Sequence, residues 1–230
     1  MWINNLARAK KITILGKNEN QKIGVFLITL SERERERIVF QRLKTGFVRS
    51  AEIWQANFPS VEVENVSEIG RSGLGLQSLL SSFQISKVMT TAAALGSFST
   101  AMRIALLESN KRRLYGARLH AIPHVRAILA RSIVNLWIGE NVARFAIAMA
   151  NQKNRNLWLI SCVAKSFVPC LAEKTVRELG VLMGARGHWE DNGWFHGAFN
   201  RIARDISFPR LVHTSSVVCR SHIALSLIHI

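Results

Sequence analysis

The sequence predicts an α+β protein that is mainly α. A β-rich opening over residues 1–70 precedes an antiparallel four-helix-type bundle over residues 71–230. Three observations carry this reading. Short β-branched runs dominate up to about Val66. From Leu76 onward, apolar residues recur at three- and four-residue steps. The links between the long helical stretches are short, which makes neighbouring helices antiparallel. At 230 residues the chain is long enough to bury a sizeable core.

In chain order, residues 11–15 and 23–28 are β-branched runs, and the polar stretch 16–20 between them suits a hairpin loop. Residues 31–37 (Ser-Glu-Arg-Glu-Arg-Glu-Arg) alternate charge and read as a solvated edge or loop. Trp54, Phe58, Val61 and Val63 predict a further strand around Pro59, at an edge or a bend. Gly70, Gly73 and Gly75 read as a flexible turn into a helix. As a phosphate loop they lack a preceding strand and a Lys-Ser/Thr pair.

A long helix then runs from Lys87 and ends in the stretch 111–116 (Lys-Arg-Arg-Leu-Tyr-Gly), with Ala92, Leu95, Phe98, Met102, Ala105 and Leu106 on one buried face. Cations at its end complement the helix dipole, and Gly116 and Pro123 punctuate the exit. A second helix runs to about Ala150, with Val125, Leu129, Ile133, Leu136 and Trp137 on one face. A third spans Leu157–Met183, with a kink expected at Pro169. Residues 184–187 (Gly-Ala-Arg-Gly) break it, and short helices over 195–204 and 215–225 close the bundle.

Thirty-one basic against 15 acidic residues leave a net charge of +16, which calls for anionic partners: nucleic acid, a membrane surface or a phosphate-rich cofactor. The basic residues are dispersed and have no interleaved aromatic cluster, so nucleic acid is not favoured. Cys162, Cys170 and Cys219 form neither a CxxC nor a metal spacing and read as reduced, mostly buried thiols of a cytoplasmic protein. His120 and His124 flank Pro123 with no carboxylate nearby, so no metal site is assigned. No secretory signal pattern opens the chain, and no window of about 18 uninterrupted apolar residues appears, so no membrane span is expected.

Four patterns, in order, resemble the acyl-CoA dehydrogenase family over nearly the whole chain. Trp2-Ile3-Asn4-Asn5 is similar to the Trp-Ile-Thr-Asn segment of the family's middle β-domain, which lies against the flavin. Asn4 replaces the threonine, and its amide can donate a hydrogen bond. Phe58-Pro59-x-Val61, with the glycines that follow, looks like the family's exit from β-domain to helices. Arg112-x-x-Tyr115-Gly116-x-x-Leu119 looks like the motif that closes the first bundle helix, whose arginine meets the FAD pyrophosphate. Gly184-Ala185-Arg186-Gly187-His188, followed by Arg204-Asp205, is similar to the family's Gly-Gly-x-Gly-aromatic turn and Arg-Asp pair. Ala185 replaces the second glycine, a mild departure where φ is negative.

The resemblance implies a partial middle β-domain, a C-terminal helical bundle, FAD as cofactor and acyl-CoA or a related thioester as substrate. It also implies a homo-oligomer, dimer or tetramer, because the family's glycine turn contacts FAD of a neighbouring subunit. Trp2, Asn4, Arg112, Tyr115, Gly184, Ala185 and Ser215 are the implied cofactor-binding residues. Since family members carry more chain before this point, the sequence reads as a fragment or a truncated relative that binds FAD weakly by itself. Residues 224–230 do not follow the family's ending.

Chemistry is where the sequence departs. The family removes the substrate α-proton with a glutamate placed eight residues after the Asp of Arg-Asp, and here that position is His213. Some members put the base on the first bundle helix, and here that position is Ser86, followed by Lys87. Neither holds a carboxylate. Three readings follow: a dehydrogenase-like flavoprotein with His213 as base or with a different substrate, a reduced-flavin monooxygenase on the same fold, or a catalytically silent or nucleic-acid-binding relative of the alkylation-response type. Histidine titrates near neutrality and is competent as a base. The first is preferred.

Overall fold

The computed structural model describes residues 2–49, 51–58, 62–152, 156–190, 194–212 and 214–228. The chain divides after Ser82 into two compact units.

The first unit holds two three-stranded antiparallel sheets. One has the order β1 (Trp2–Asn4), β5 (Ile53–Asn57), β4 (Val39–Leu43); the other has β2 (Lys11–Lys17), β3 (Ile23–Thr29), β6 (Asn65–Ile69). The predicted hairpin forms with Ile12 opposite Ile28. Both are buried, together with Leu6, Leu30 and Ile38.

Residues 31–37 are not a loop. They form a short helix, α1 (Glu32–Glu36), started by a reciprocal cap. The Ser31 hydroxyl accepts from the Glu34 amide at 3.4 Å, and the Glu34 carboxylate accepts from the Ser31 amide at 2.6 Å. Glu34 is buried and also accepts from the Glu64 amide at 2.9 Å, so the carboxylate ties α1 to the approach to β6. The strand predicted around Pro59 is instead β5, which ends before Phe58 and lies between β1 and β4. Its ladder closes before the proline is reached, so the proline does not force it to an edge. Pro59 and Val61 lie outside the described residues. A strand, β6, does precede the glycine turn. Gly70 and Gly73 both have φ of 84°, and a Cβ at Gly75 would stand 2.6 Å from the Gly24 backbone. Only glycine admits that approach of the helix start to β3.

Helix α2 (Gly75–Lys111) crosses the division; α3 (Pro123–Asn151), α4 (Leu157–Met183), α5 (Ala198–Asp205) and α6 (Ser216–Ile228) belong to the second unit. Leu95, Phe98, Met102 and Ala105 of α2 are buried among Val168, Val176 and Leu179 of α4 and Leu129 of α3. Ala92 is exposed, contrary to the predicted face. The buried face continues through Ala94, Ala101 and Ile104, so it is broader and rotated. On α3, Trp137 is 62% exposed. The seam follows Leu129, Ser132, Gly139, Ala143 and Ala146, and Trp137 falls one residue off it. A Cβ at Gly139 would stand 2.7 Å from Leu95 Cδ2, so any side chain there would displace the end of that leucine. Pro169 sits inside α4, which continues through it to Met183. Among the described residues no helix is long and apolar enough to cross a membrane.

Candidate functional site

The end of α2 and the end of α4 meet, and sequence order puts Arg112 and the glycine turn at those two ends. The amide of Arg112 donates to the Glu108 carbonyl at 2.8 Å, and a tight hairpin follows. Its strands are β7 (Arg113–Leu114) and β8 (Ala117–Arg118), joined by Tyr115 and Gly116 with φ of 53° and 79°. Two successive left-handed residues make the turn whose twist matches that of paired strands. It leaves Tyr115 98% exposed.

Helix α4 stops at Gly184, with φ 56° and ψ −143°, a region essentially restricted to glycine. Ala185 does not have a positive φ, so its methyl group is unstrained. The Arg112 guanidinium donates through Nη1 to the carbonyls of Leu182 (3.4 Å) and Met183 (3.5 Å). These are the unpaired carbonyls at the negative end of the helix dipole, where a cation is favoured. Both contacts use one arm of a five-donor fork. A Cβ at Gly184 would lie 3.5 Å from the same nitrogen. A second link runs from Arg186 Nη1, which donates to Glu108 Oε1, a carboxylate whose side chain is 2% exposed. Two arginine contacts therefore clamp the turn onto α2. Beside it lies a cleft of about 580 Å³ lined by Arg177, Gly180, Gly184, Ala185, His188 and Arg204, among others.

The segment leading to position 213 is also pinned. Arg210 donates to Glu173 of α4 at 2.6 Å, and Arg177 donates to the same carboxylate at 2.7 Å. Burial alone would raise the Glu173 carboxyl, but the two guanidinium hydrogen bonds outweigh it and hold it below its ordinary value. Lys165 donates to the Pro209 carbonyl from a fully buried position. On the far side, Ser215 caps α6: its Oγ accepts from the Val218 amide at 3.3 Å, and its carbonyl accepts from Cys219.

The structure thus brings Arg112 and Gly184 together, with Ala185 beside them and Tyr115 on the adjoining hairpin. Ser215 stands at a different helix start and spends its hydroxyl on the cap. Asn4 is an exposed residue of β1 in the first unit, and the Trp2 side chain lies outside the described part. His213 lies outside the described residues. Ser86 is half-buried, and its carbonyl accepts from Thr90. The sequence reading missed the roles of Glu108 and Arg186. The available signal was a lone carboxylate one helical turn before Arg112 in an otherwise apolar run.

The donor set suits a polyanionic, phosphate-bearing group: a guanidinium at a glycine turn where no side chain fills the approach, flanked by further arginines. The backbone superimposes on acyl-CoA dehydrogenase from Geobacillus kaustophilus with a TM-score of 0.88 at 17% identity, over 98% of this chain and 59% of that one. Butyryl-CoA dehydrogenase from Megasphaera elsdenii gives 0.84 at 16% identity, over 99% and 58%. The fold is therefore of the acyl-CoA dehydrogenase type. The family model for the C-terminal domain of acyl-CoA dehydrogenases matches residues 73–228, and the chain belongs to the acyl-CoA dehydrogenase family. It is 21% identical over 236 aligned positions to mouse very long-chain specific acyl-CoA dehydrogenase, covering 98% of this chain and 35% of that enzyme. The chain thus spans about a third of the length of that curated relative.

Proposed function

We propose that this chain forms part of an FAD-dependent oxidoreductase acting on an acyl thioester, with residues 1–70 as the end of its middle β-domain and 71–230 as its C-terminal bundle. The observation that carries the reading is the convergence of Arg112 with the carbonyls before Gly184, some 70 positions away in sequence. Arg112 and the turn 184–187 bind the diphosphate, with Tyr115 and Ala185 bordering it. The chemistry that FAD would supply when held by these residues is acceptance of the substrate's β-hydride. His213 in its neutral form accepts the α-proton in place of the family's glutamate, and Ser86 leaves the alternative base position empty of a carboxylate. The Arg210–Glu173 pair and the Ser215 cap hold the chain on either side of that histidine. The assembly is a homo-oligomer, dimer or tetramer, in which a neighbouring copy completes the cleft. The three free thiols fit a reducing, cytoplasmic setting.

A flavin titration followed by fluorescence quenching tests this. Arg112→Ala should weaken FAD binding by about 1.5–3 kcal/mol, roughly ten- to a hundredfold, and Arg113→Ala by less, because a charge-assisted phosphate contact is lost only in the first. The FAD-loaded protein should then reduce a dye acceptor with one or more of a panel of acyl-CoA substrates. The +16 charge favours one competing reading, nucleic-acid binding. Salt-sensitive DNA binding with no flavin uptake would establish that reading and overturn the first.

A further inference from the structure

Helices α2, α4 and α6 meet around two lysines and two cysteines for which the proposed flavin chemistry has no role. Lys87 Nζ lies 3.3 Å from Cys162 Sγ, and these residues are 4% and 0% exposed. Lys165, one turn along α4, is fully buried and spends its ammonium on a backbone carbonyl. Helix α6 packs along α4 here, and its Cys219, also fully buried, and His222 both act on the Cys162 sulfur. Among the described residues every ion pair to a carboxylate uses an arginine, so neither lysine has a carboxylate partner. Buried cations without a counter-ion are costly, and the acidic group within reach is a thiol.

That demand shows in the thiols. The Cys219 hydrogen bond and the nearby Lys87 ammonium outweigh burial and bring Cys162 down to about 5. Cys219 moves the other way, raised by the bond it makes to Cys162 and by burial. These influences favour the thiolate at Cys162 and the protonated thiol at Cys219.

We propose that Cys162 and Cys219 form a peroxide-oxidisable dithiol, with Cys162 as attacking thiolate, Cys219 as resolving thiol and a small hydroperoxide as oxidant. In the first step the Cys162 thiolate attacks the terminal oxygen of the hydroperoxide. An S–O bond forms and the O–O bond breaks; sulfur is oxidised by two electrons, and the departing alkoxide or hydroxide takes a proton from the Lys87 ammonium. In the second step the Cys219 sulfur displaces hydroxide from the sulfenic acid. The S–S bond forms, and the hydroxide leaves as water with the Cys219 proton. Lys87 regains its proton from solvent. The product ties α4 to the start of α6, the helix that follows position 213. This reading does not depend on the flavin assignment.

The test uses the full chain treated with increasing hydrogen peroxide, quenched, denatured, alkylated and peptide-mapped. Cys170, half-buried on α4, is the internal reference thiol. The expected result is a Cys162–Cys219 cross-linked peptide appearing while Cys170 is still alkylated. Cys219→Ser should stop at a sulfenic acid on Cys162 that dimedone captures. Lys87→Met should slow the reaction about tenfold or more, because less of the thiol is ionised at neutral pH. Oxidation that reaches the more exposed Cys170 first, or that leaves both buried thiols unlinked, overturns the proposal.

Discussion

The helical bundle buries charge in two chemically different ways. Toward the glycine turn and the segment before position 213, carboxylates meet arginines: Glu108 with Arg186, and Glu173 with Arg177 and Arg210. Deeper in, Lys87 and Lys165 meet sulfur and a backbone carbonyl instead. A guanidinium fork saturates a carboxylate with directed bonds and never gives up its proton near neutrality. A lysine beside a thiol meets a sulfur that is itself an acid and a nucleophile, so the contact can change its chemical state. The first arrangement fixes geometry, which a cofactor turn requires. The second stores reactivity in a dry interior.

The largest effect should come from opening the clamp. Arg186→Met leaves the Glu108 carboxylate buried without its counter-ion, which should lower unfolding free energy by about 3–5 kcal/mol in urea. Adding Glu108→Gln removes the stranded charge and should recover part of that loss. If the single variant unfolds like the parent, the clamp is a surface contact and the contrast with the lysine–thiol core disappears.

Much of this architecture was open to a reading of the sequence, for definite reasons. The helical period of α2 and α4 marks Leu95, Phe98, Met102 and the bounds Leu157–Met183, because burial repeats every turn. The motifs singled out Arg112 and the turn at Gly184 separately, and their meeting was not legible, since nothing local in either segment announces the other. Residues 31–37 were misread because alternating charge hides the capping box formed by Ser31 and Glu34. Trp137 was misplaced because a one-residue step on a helix turns a side chain by about 100°. The lysine–thiol cluster was invisible: Lys87 and Cys162 are 75 positions apart, and no spacing rule joins a lysine to a cysteine. Only the packing of α2, α4 and α6 does so.

Acidity sharpens the comparison next. Cys162 is held near 5 against an ordinary 9, so it binds its proton less tightly folded than unfolded. Its contribution to stability is complete above about pH 9 and is lost as pH falls through about 5. Burial chiefly pushes Lys165 down to about 8 from 10.5, so the cost of its charge grows as pH falls across that interval. Both act in one direction: melting temperature should fall as pH goes from 9 to 5. The arginine pair adds no slope there, because the Arg210 hydrogen bond holds the Glu173 carboxyl below its ordinary range and the same bond holds Arg210 above its own. Cys162→Ser should flatten the melting curve's pH dependence in that window. An unchanged slope would mean that the thiolate is absent.

The smallest effect belongs to a third kind of pair, which isolates burial as the deciding variable. Arg131 and Glu178 join α3 to α4 at 3.3 Å, with side chains 57% and 29% exposed. The contact has the same chemical partners as Arg186–Glu108, but water competes for both ends and salt screens the attraction. Arg131→Gln should therefore cost only about 0.2–1 kcal/mol, and that loss should shrink toward zero in molar salt. Urea unfolding of Arg131→Gln and Arg186→Met at low and high ionic strength gives the comparison directly. If the two losses are equal, or if both vanish with salt, desolvation of Glu108 is not what gives the clamp its strength. In that case the turn at Gly184 would owe its position to the Arg112–carbonyl contacts alone.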